Sequence, residues 1–342
     1  MLLKEAYETL KNVIKSFTQR FQTKIWHIKE KHYTSTDAKR HQTVEENVPC
    51  YSPRMVSFDR EGKICFSPKR FNKELVPFKV PCGQCIACRL EYSKQWAVRC
   101  VHESEMYEKS SFITLTYADP HLPNDSSLYH YDFQLFFKKL RRKYGDGISY
   151  FMCGEYGELN KRPHYHACIF GVDFDDKIEI GKNDQGDSRY QSGTLDELWG
   201  KGRTELGSVT FESAAYCARY VTKKITGDAA PSHYGNRKPE YAKMSTKYAI
   251  GKKWLEKYYE DIFNHGKLII RGGIQTSIPR YYEKWLLKNH PEIYQDYKKR
   301  RAAFIPTPDQ IADNTPQRLR TKSRYHKLII KTLKRPLDSQ EA

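Results

Sequence analysis

The chain has 342 residues, with Lys+Arg 59 against Asp+Glu 41 and a formal net charge of +18. No uncharged apolar run reaches the roughly 18 residues a membrane span requires, and the opening MLLKEAYETL carries acids where a secretory leader would be apolar. These features argue against stable membrane association and for a polyanionic partner bound in a steeply salt-dependent way.

The 25 tyrosines and 16 phenylalanines supply flat faces on which unpaired bases can stack. Nine cysteines without a leader read as reduced thiols or metal ligands rather than a disulfide framework. Leu3, Tyr7, Leu10, Ile14, Phe17, Phe21 and Ile28 recur near helical spacing and predict an amphipathic helix over residues 2–28. With the polar linker that follows, residues 1–47 form an N-terminal extension. Residues 48–108 hold Cys50, Cys65 and the run PCGQCIACRL, which leads into a helix through Trp96, Cys100 and Tyr107.

Residues 112–117 (FITLTY) alternate, with Ile113 and Leu115 on one face of a strand and Thr114 and Thr116 on the other. Asp132 is positioned to cap a helix whose buried stripe is Phe133, Phe136, Phe137 and Leu140. Further strands are expected over 148–153, 164–170 and 208–211, with a helical turn at 194–199. Ser213 would cap a last helix over 214–226, closed by Gly227. The order β-α-β-β-α-β predicts an α+β core over 109–275, with a ferredoxin-like (split βαβ) antiparallel sheet whose first and third strands are neighbours. Residues 276–342 read as a basic tail in which Lys298, Lys299, Arg300 and Arg301 are candidate DNA contacts.

The sharpest chemical signal is His164-Tyr165-His166. Residues i and i+2 of a strand point the same way, so two imidazoles converge on one side as ligands for a divalent ion. Alone, H-x-H is equally the pattern of two surface histidines. Glu155 falls just past the preceding strand, opposite His164, and directly opposed residues lie roughly 5 Å apart. Glu158, further into the loop, is its rival. A Glu/His/His set with open positions suits Mg²⁺ or Mn²⁺ against phosphate oxygens.

Tyr216 and Tyr220 are four apart on the expected helix and share a face, with Lys223 and Lys224 one turn on. A phenol near a cation gains phenolate character and can attack phosphorus. Two such phenols beside a metal site allow a second cut while the first tyrosine is still attached, as repeated rounds on a circle require. Arg162 and Arg219, inside these motifs, are further candidate DNA contacts.

Cys82, Cys85 and Cys88 form C-x₂-C-x₂-C, and Cys50, or alternatively Cys65, would complete a tetrahedral structural Zn²⁺ site. An iron–sulfur cluster is disfavoured because no fourth cysteine followed by proline comes soon after.

FITLTYADPHLP, CGEYGELNKRPHYHACIFG and YCARYVTKK resemble the three motifs of HUH rolling-circle initiators, and the YxxxY form resembles the two-tyrosine class. PCGQCIACR followed by Trp96, with MSTKYAIGKKWLEKYY and PRYYEKW, is similar to replication initiators of the gokushovirus branch of microviruses, over residues 50–290. The resemblance implies an HUH endonuclease core with Glu155, His164 and His166 as metal ligands and Tyr216 and Tyr220 as alternating nucleophiles. It also implies Lys224, with Lys223, orienting phosphate, and Thr114 and Thr116 shaping the site. It further implies origin DNA of a small circular phage genome, single-stranded or supercoiled, as substrate in the host bacterial cytoplasm. The sequence has no P-loop of the form GxxxxGK[ST], so unwinding falls to a host helicase working with a host polymerase.

Overall fold

A computed structural model describes residues 50–332, apart from 158–159, 184–185, 220–223, 226 and 271–272. The expected N-terminal helix, Glu158, Tyr220, Lys223 and the last ten residues lie outside the described residues.

The cysteine-rich segment opens with β1 (Arg54–Phe58), β2 (Ile64–Cys65) and β3 (Phe78–Val80), an antiparallel sheet of order β2-β1-β3. Helix α1 (Ile86–Ser104) follows and buries Ala97, Val98 and Cys100.

The main sheet starts with β4 (Ser110–Thr116), after which α2 (His130–Tyr144) crosses one face. Strands β5 (Ser149–Tyr156) and β6 (Pro163–Phe170) form a hairpin. A second hairpin, β7 (Ile178–Lys182) and β8 (Ser188–Gln191), precedes α3 (Gly193–Trp199) and β9 (Thr204–Ser208). Helices α4 (Phe211–Ala218) and α5 (Ala230–Tyr234) and strand β10 (Tyr241–Met244) complete this part.

The sheet order is β10-β5-β6-β4-β9-β8-β7, and its neighbouring strands are antiparallel. Its inner four strands, β5-β6-β4-β9, have the split βαβ order, and β4 and β6 are neighbours as expected. Three strands extend it that local alternation did not mark. The β7–β8 hairpin is largely exposed and so has no apolar face to read.

Alternation along the inner strands divides two cores. On one face Ile113, Leu115, Tyr165, Ala167 and Ile169 pack with Phe133, Phe136, Phe137, Leu140 and Trp199 of α2 and α3. On the other Phe112, Phe151, Cys153, Cys168 and Phe170 pack with Ala97 and Cys100 of α1 and with Ala214, Cys217 and Ala218 of α4.

Two local expectations are corrected. Asp132 is not a cap but sits inside the first turn of α2, buried, where it accepts a hydrogen bond from the Tyr117 hydroxyl at 2.8 Å and pairs with Lys201 at 3.2 Å. The last strand of the split motif is Thr204–Ser208 rather than 208–211. Thr210 already caps α4, its side chain accepting from the Ser213 amide while the Ser213 hydroxyl accepts from the Thr210 amide. Ser213 is thus the third residue of the capping box, not the cap.

Gly202 shows how tightly the β9 approach is packed. Backbone hydrogen bonds from Thr116 to Arg203 O (2.9 Å) and from Ala118 to Lys201 O (2.8 Å) bracket it against the end of β4. A Cβ there would fall 2.3 Å from the Ala118 nitrogen and 2.4 Å from the Thr116 oxygen, both backbone atoms that cannot swing away. We expect Gly202→Ala to cost at least about 3 kcal/mol in a denaturant titration. A change below about 0.5 kcal/mol would show that this approach is looser than drawn.

Residues 280–332 are not a tail. After α6 (Lys252–His265), β11 (Leu268–Ile270) and β12 (Ile274–Thr276), the chain forms α7 (Arg280–Asn289), α8 (Pro291–Ala302), α9 (Pro308–Ala312) and α10 (Pro316–Thr332). Leu255, Phe263, Tyr282, Leu286 and Tyr297 make a third core with Val98 of α1. Arg99 joins it to the rest, its guanidinium lying between the rings of Trp96 and Tyr281 at 4.0 and 4.2 Å while Nε donates to Ile250 O.

Candidate active site

The β5–β6 register places Glu155 opposite His164 and Cys153 opposite His166, and β4 sets Thr114 opposite His166 and Thr116 opposite His164. Because opposed residues share a face, Glu155, His164, His166 and Thr114 all point toward α4. The carboxylate and the two imidazoles bring one ligand atom each within 4.8 Å of one another. Each of the three residues is at most 2% exposed.

Glu155 Oε1 lies 3.4 Å from Nε2 of both His164 and His166. Nδ1 of His164 is 3.1 Å from the Arg162 carbonyl, which can only accept, so that nitrogen carries the proton and Nε2 of the neutral ring turns its lone pair toward Glu155. Nδ1 of His166 is 3.0 Å from Thr114 Oγ1. A carboxylate facing imidazole nitrogens whose far sides are held by hydrogen bonds is a donor set that suits a divalent cation. Burial pushes the Glu155 carboxyl up, but hydrogen bonds and charge interaction with the two histidines outweigh it and hold the group well below the usual carboxylate range.

Helix α4 lies over this cluster. The Tyr216 hydroxyl donates to Glu155 Oε1 at 3.1 Å, and its ring stands edge-on to His166 with centroids 4.8 Å apart. Phe112 stacks parallel to His166 from the other side at 5.8 Å. Beside Tyr216 a cleft opens between β8, β9 and the start of α4, lined by Thr114, Arg189, Glu205, Ser213 and Arg219 among others. Arg189 grips Glu205 through two hydrogen bonds of 3.1 and 2.7 Å, and Arg203 adds a third contact at 3.1 Å. The Arg219 guanidinium sits 5.7 Å from the Tyr216 ring centroid.

The remaining expected contacts fall elsewhere. Arg162 donates to Tyr117 O at 2.8 Å and pairs with Asp119, so it braces the mouth of the β5–β6 hairpin. Arg300 donates to the Phe263 and Asn264 carbonyls at the end of α6, and Arg301 pairs with Glu283 at 2.7 Å. Lys299 pairs with Asp296 at 3.5 Å. These residues and Lys298 belong to α8, outside the Glu155 cluster.

Cys50, Cys82, Cys85 and Cys88 converge within 4.8 Å, so the fold brings Cys50 to the fourth position, while Cys65 lies apart in β2 with its thiol toward Ser67 O. Backbone amides surround the sulfurs: Tyr51 N donates to Cys85 (3.4 Å), Cys82 N to Cys50 (3.2 Å), and Gln84 N and Cys85 N to Cys82 (3.4 and 3.2 Å). Hydrogen bonding from Cys88, then from backbone amides, holds the Cys85 thiol well below its ordinary range. Four sulfurs in such a cradle of N–H donors form a set that suits a soft, tetrahedral ion.

Sequence reasoning missed what this second cluster supports. Cys88 begins α1, the next residue Arg89 donates to Lys224 O at 3.0 Å, and Ser93 donates to Ala215 O at 3.0 Å. The cysteine segment therefore braces both ends of the stretch that carries Tyr216. The partners are 135 and 122 residues away, so no local pattern signals them. From the other side, the Tyr51 hydroxyl meets Nδ1 of His326 on α10 at 2.8 Å. We expect Cys85→Ser to lower the melting temperature by on the order of 10 °C and to reduce bound metal, read by calorimetry and elemental analysis. An unchanged melting temperature would mean that the four thiols are not a structural centre.

An antiparallel α+β core with a buried carboxylate–imidazole cluster under a tyrosine-bearing helix defines a protein with a candidate metal site. The comparisons narrow that class. Residues 110–225 match the family model of the replication-associated protein ORF2. The chain is 41% identical over 259 residues to Replication-associated protein VP4 of Bdellovibrio phage phiMH2K, covering 72% of this chain and 80% of that protein. It is 32% identical to Replication-associated protein ORF2 of Spiroplasma virus 4 (66% and 74% covered) and 32% identical to Replication-associated protein ORF4 of Chlamydia phage 1 (62% and 54%). The chain belongs to the replication-associated proteins of gokushovirus-type microviruses. No solved structure matches it significantly.

Proposed function

We propose that the protein initiates rolling-circle replication of a small circular single-stranded DNA phage genome by nicking origin DNA with a tyrosine on an HUH-type core. The observation that carries this reading is the Tyr216 hydroxyl 3.1 Å from Glu155 Oε1, with that oxygen 3.4 Å from both imidazole Nε2 atoms. The nucleophile and the ligand set thus share one atom's surroundings.

Glu155, His164 and His166 hold Mg²⁺ or Mn²⁺ in this scheme. The bound ion supplies Lewis-acid polarisation of the scissile phosphate. Tyr216 is oriented by its hydrogen bond to Glu155 and by ring contact with His166. Its phenol oxygen forms the new bond to phosphorus, the P–O3′ bond breaks, and the 5′ end becomes a phosphotyrosine. The proton lost by the phenol is balanced by the one the departing 3′ oxygen takes up, leaving a free 3′-OH for a polymerase. Lys224, with Lys223, neutralises charge on the leaving side. Tyr220 performs the reverse transfer that later releases and joins the strand. Arg219 contacts DNA in the cleft, and a host helicase and polymerase serve as partners in the bacterial cytoplasm. The four cysteines hold Zn²⁺ as a structural brace for α1.

The test is a reaction of the purified chain with origin-bearing phage DNA, single-stranded and supercoiled, with and without Mg²⁺ or Mn²⁺, on denaturing gels. A protein–DNA adduct that requires the ion supports the proposal. Cleavage without an adduct would instead assign the attack to water, and binding without cleavage would leave only a passive role on DNA.

A further inference from the structure

The small sheet of the cysteine segment carries an exposed face that the site above does not use. The register Arg54↔Val80, Val56↔Phe78 and Phe58↔Ile64 puts Arg54, Phe58, Ile64 and Phe78 on one side. The Phe58 and Phe78 rings pair at 5.7 Å. Yet Phe58 is 36% exposed, Ile64 56% and Phe66, two residues further on, 57%. A contiguous apolar surface with a polar rim marks an interaction site rather than a scattering of single residues.

Its rim fixes the partner's charge. Residues 50–80 contain seven Lys or Arg (54, 60, 63, 69, 70, 73 and 79) against three acids, Asp59, Glu61 and Glu74. Asp59 is buried against Arg70 at 3.2 Å, and Glu61 is paired with Lys63 at 2.8 Å. The surface is therefore aromatic in the middle and cationic at the edge. Bases stacking on rings, with phosphates toward lysine and arginine, is how a single strand is held without sequence readout. A protein partner would need an apolar and acidic face at once.

We infer that this face of the cysteine segment is a second binding surface for single-stranded DNA, with Phe58 and Phe66 as stacking platforms and Arg54 as a phosphate contact. The inference rests on the reading of this chain as a DNA-acting protein but needs none of its tyrosine chemistry. Strand displaced during replication would be gripped here while the Tyr216 site is engaged elsewhere on the DNA.

The experiment measures fluorescence anisotropy of a labelled mixed-sequence DNA single strand lacking an origin, titrated with the full chain without added divalent ion. Phe58→Ala and Phe66→Ala are each expected to weaken binding about tenfold, and Phe58→Trp to restore it. Arg54→Ala should reduce the salt slope by about one. Photocrosslinks from the same strand should map to peptides within residues 54–79. Adduct formation on a short origin oligonucleotide should be unchanged in these variants. That separates a failure here from a failure of the nicking proposal. Unaltered affinity in folded, metal-replete variants, crosslinks confined to residues 110–225, or variants that change self-association instead of DNA affinity would each overturn the inference.

Discussion

Tyr216→Phe should abolish most of the first cleavage, with adduct yield falling on the order of 10³-fold or more and disappearing when Tyr220→Phe is combined with it. The substitution removes one oxygen and keeps the ring that stands against His166 and Phe112. The fold therefore loses one charge-assisted hydrogen bond, worth about 1.5–3 kcal/mol, and no packing. A variant that remains folded and binds origin DNA but forms no adduct can be explained only by a missing nucleophile. Tyr220→Phe alone should keep the first cut and lose strand rejoining, scored as circular product. The reverse pattern, with Tyr216→Phe cutting normally, would assign the first attack to Tyr220 and leave Tyr216 the role of a hydrogen-bond donor to Glu155.

The parts of this arrangement that were legible in the sequence are those set by period. Alternation in FITLTY and HYHACIF fixes which side chains share a face, and both stretches pair in the register that alternation requires. The opposition of Glu155 and His164 followed from the hairpin alone, because its loop fixes the pairing of the two strands. The α2 stripe was readable for the same reason, each of Phe133, Phe136, Phe137 and Leu140 being buried.

What was not legible depends on contacts far apart in the chain. Asp132 has the residue type of a cap, but a buried tyrosine hydroxyl fifteen residues earlier claims its carboxylate and draws it into the helix. The run Lys298–Arg301 reads as a solvated charge block. Arg300 and Arg301 are instead consumed by helix-end carbonyls and by Glu283, and burial of Tyr297 pins that face of α8. The same holds for Arg89 and Ser93, whose use is to fix the stretch bearing Tyr216. Composition marked the charge, and only tertiary structure divides it between structural pairing and DNA.

Glu155 offers the test that separates a ligand from a bystander. Glu155→Gln keeps volume and hydrogen-bonding reach but removes the charge that two imidazoles and a phenol surround. We expect Mn²⁺ affinity, followed by calorimetry or electron paramagnetic resonance, to fall at least about 100-fold, and adduct formation to fall about 10³-fold at fixed ion concentration. Glu155→Asp retains the charge on a side chain one methylene shorter. It should bind the ion more weakly and react about 10²-fold more slowly, the cost of displacing a ligand by about 1 Å. That ordering, wild type above aspartate above glutamine, is specific to a carboxylate that holds the cation in place. Were the ordering to vanish, with Glu155→Gln binding Mn²⁺ as wild type does, the third ligand would pass to Glu158. Glu155 would then serve to orient Tyr216, and Glu158→Gln would show the losses described here.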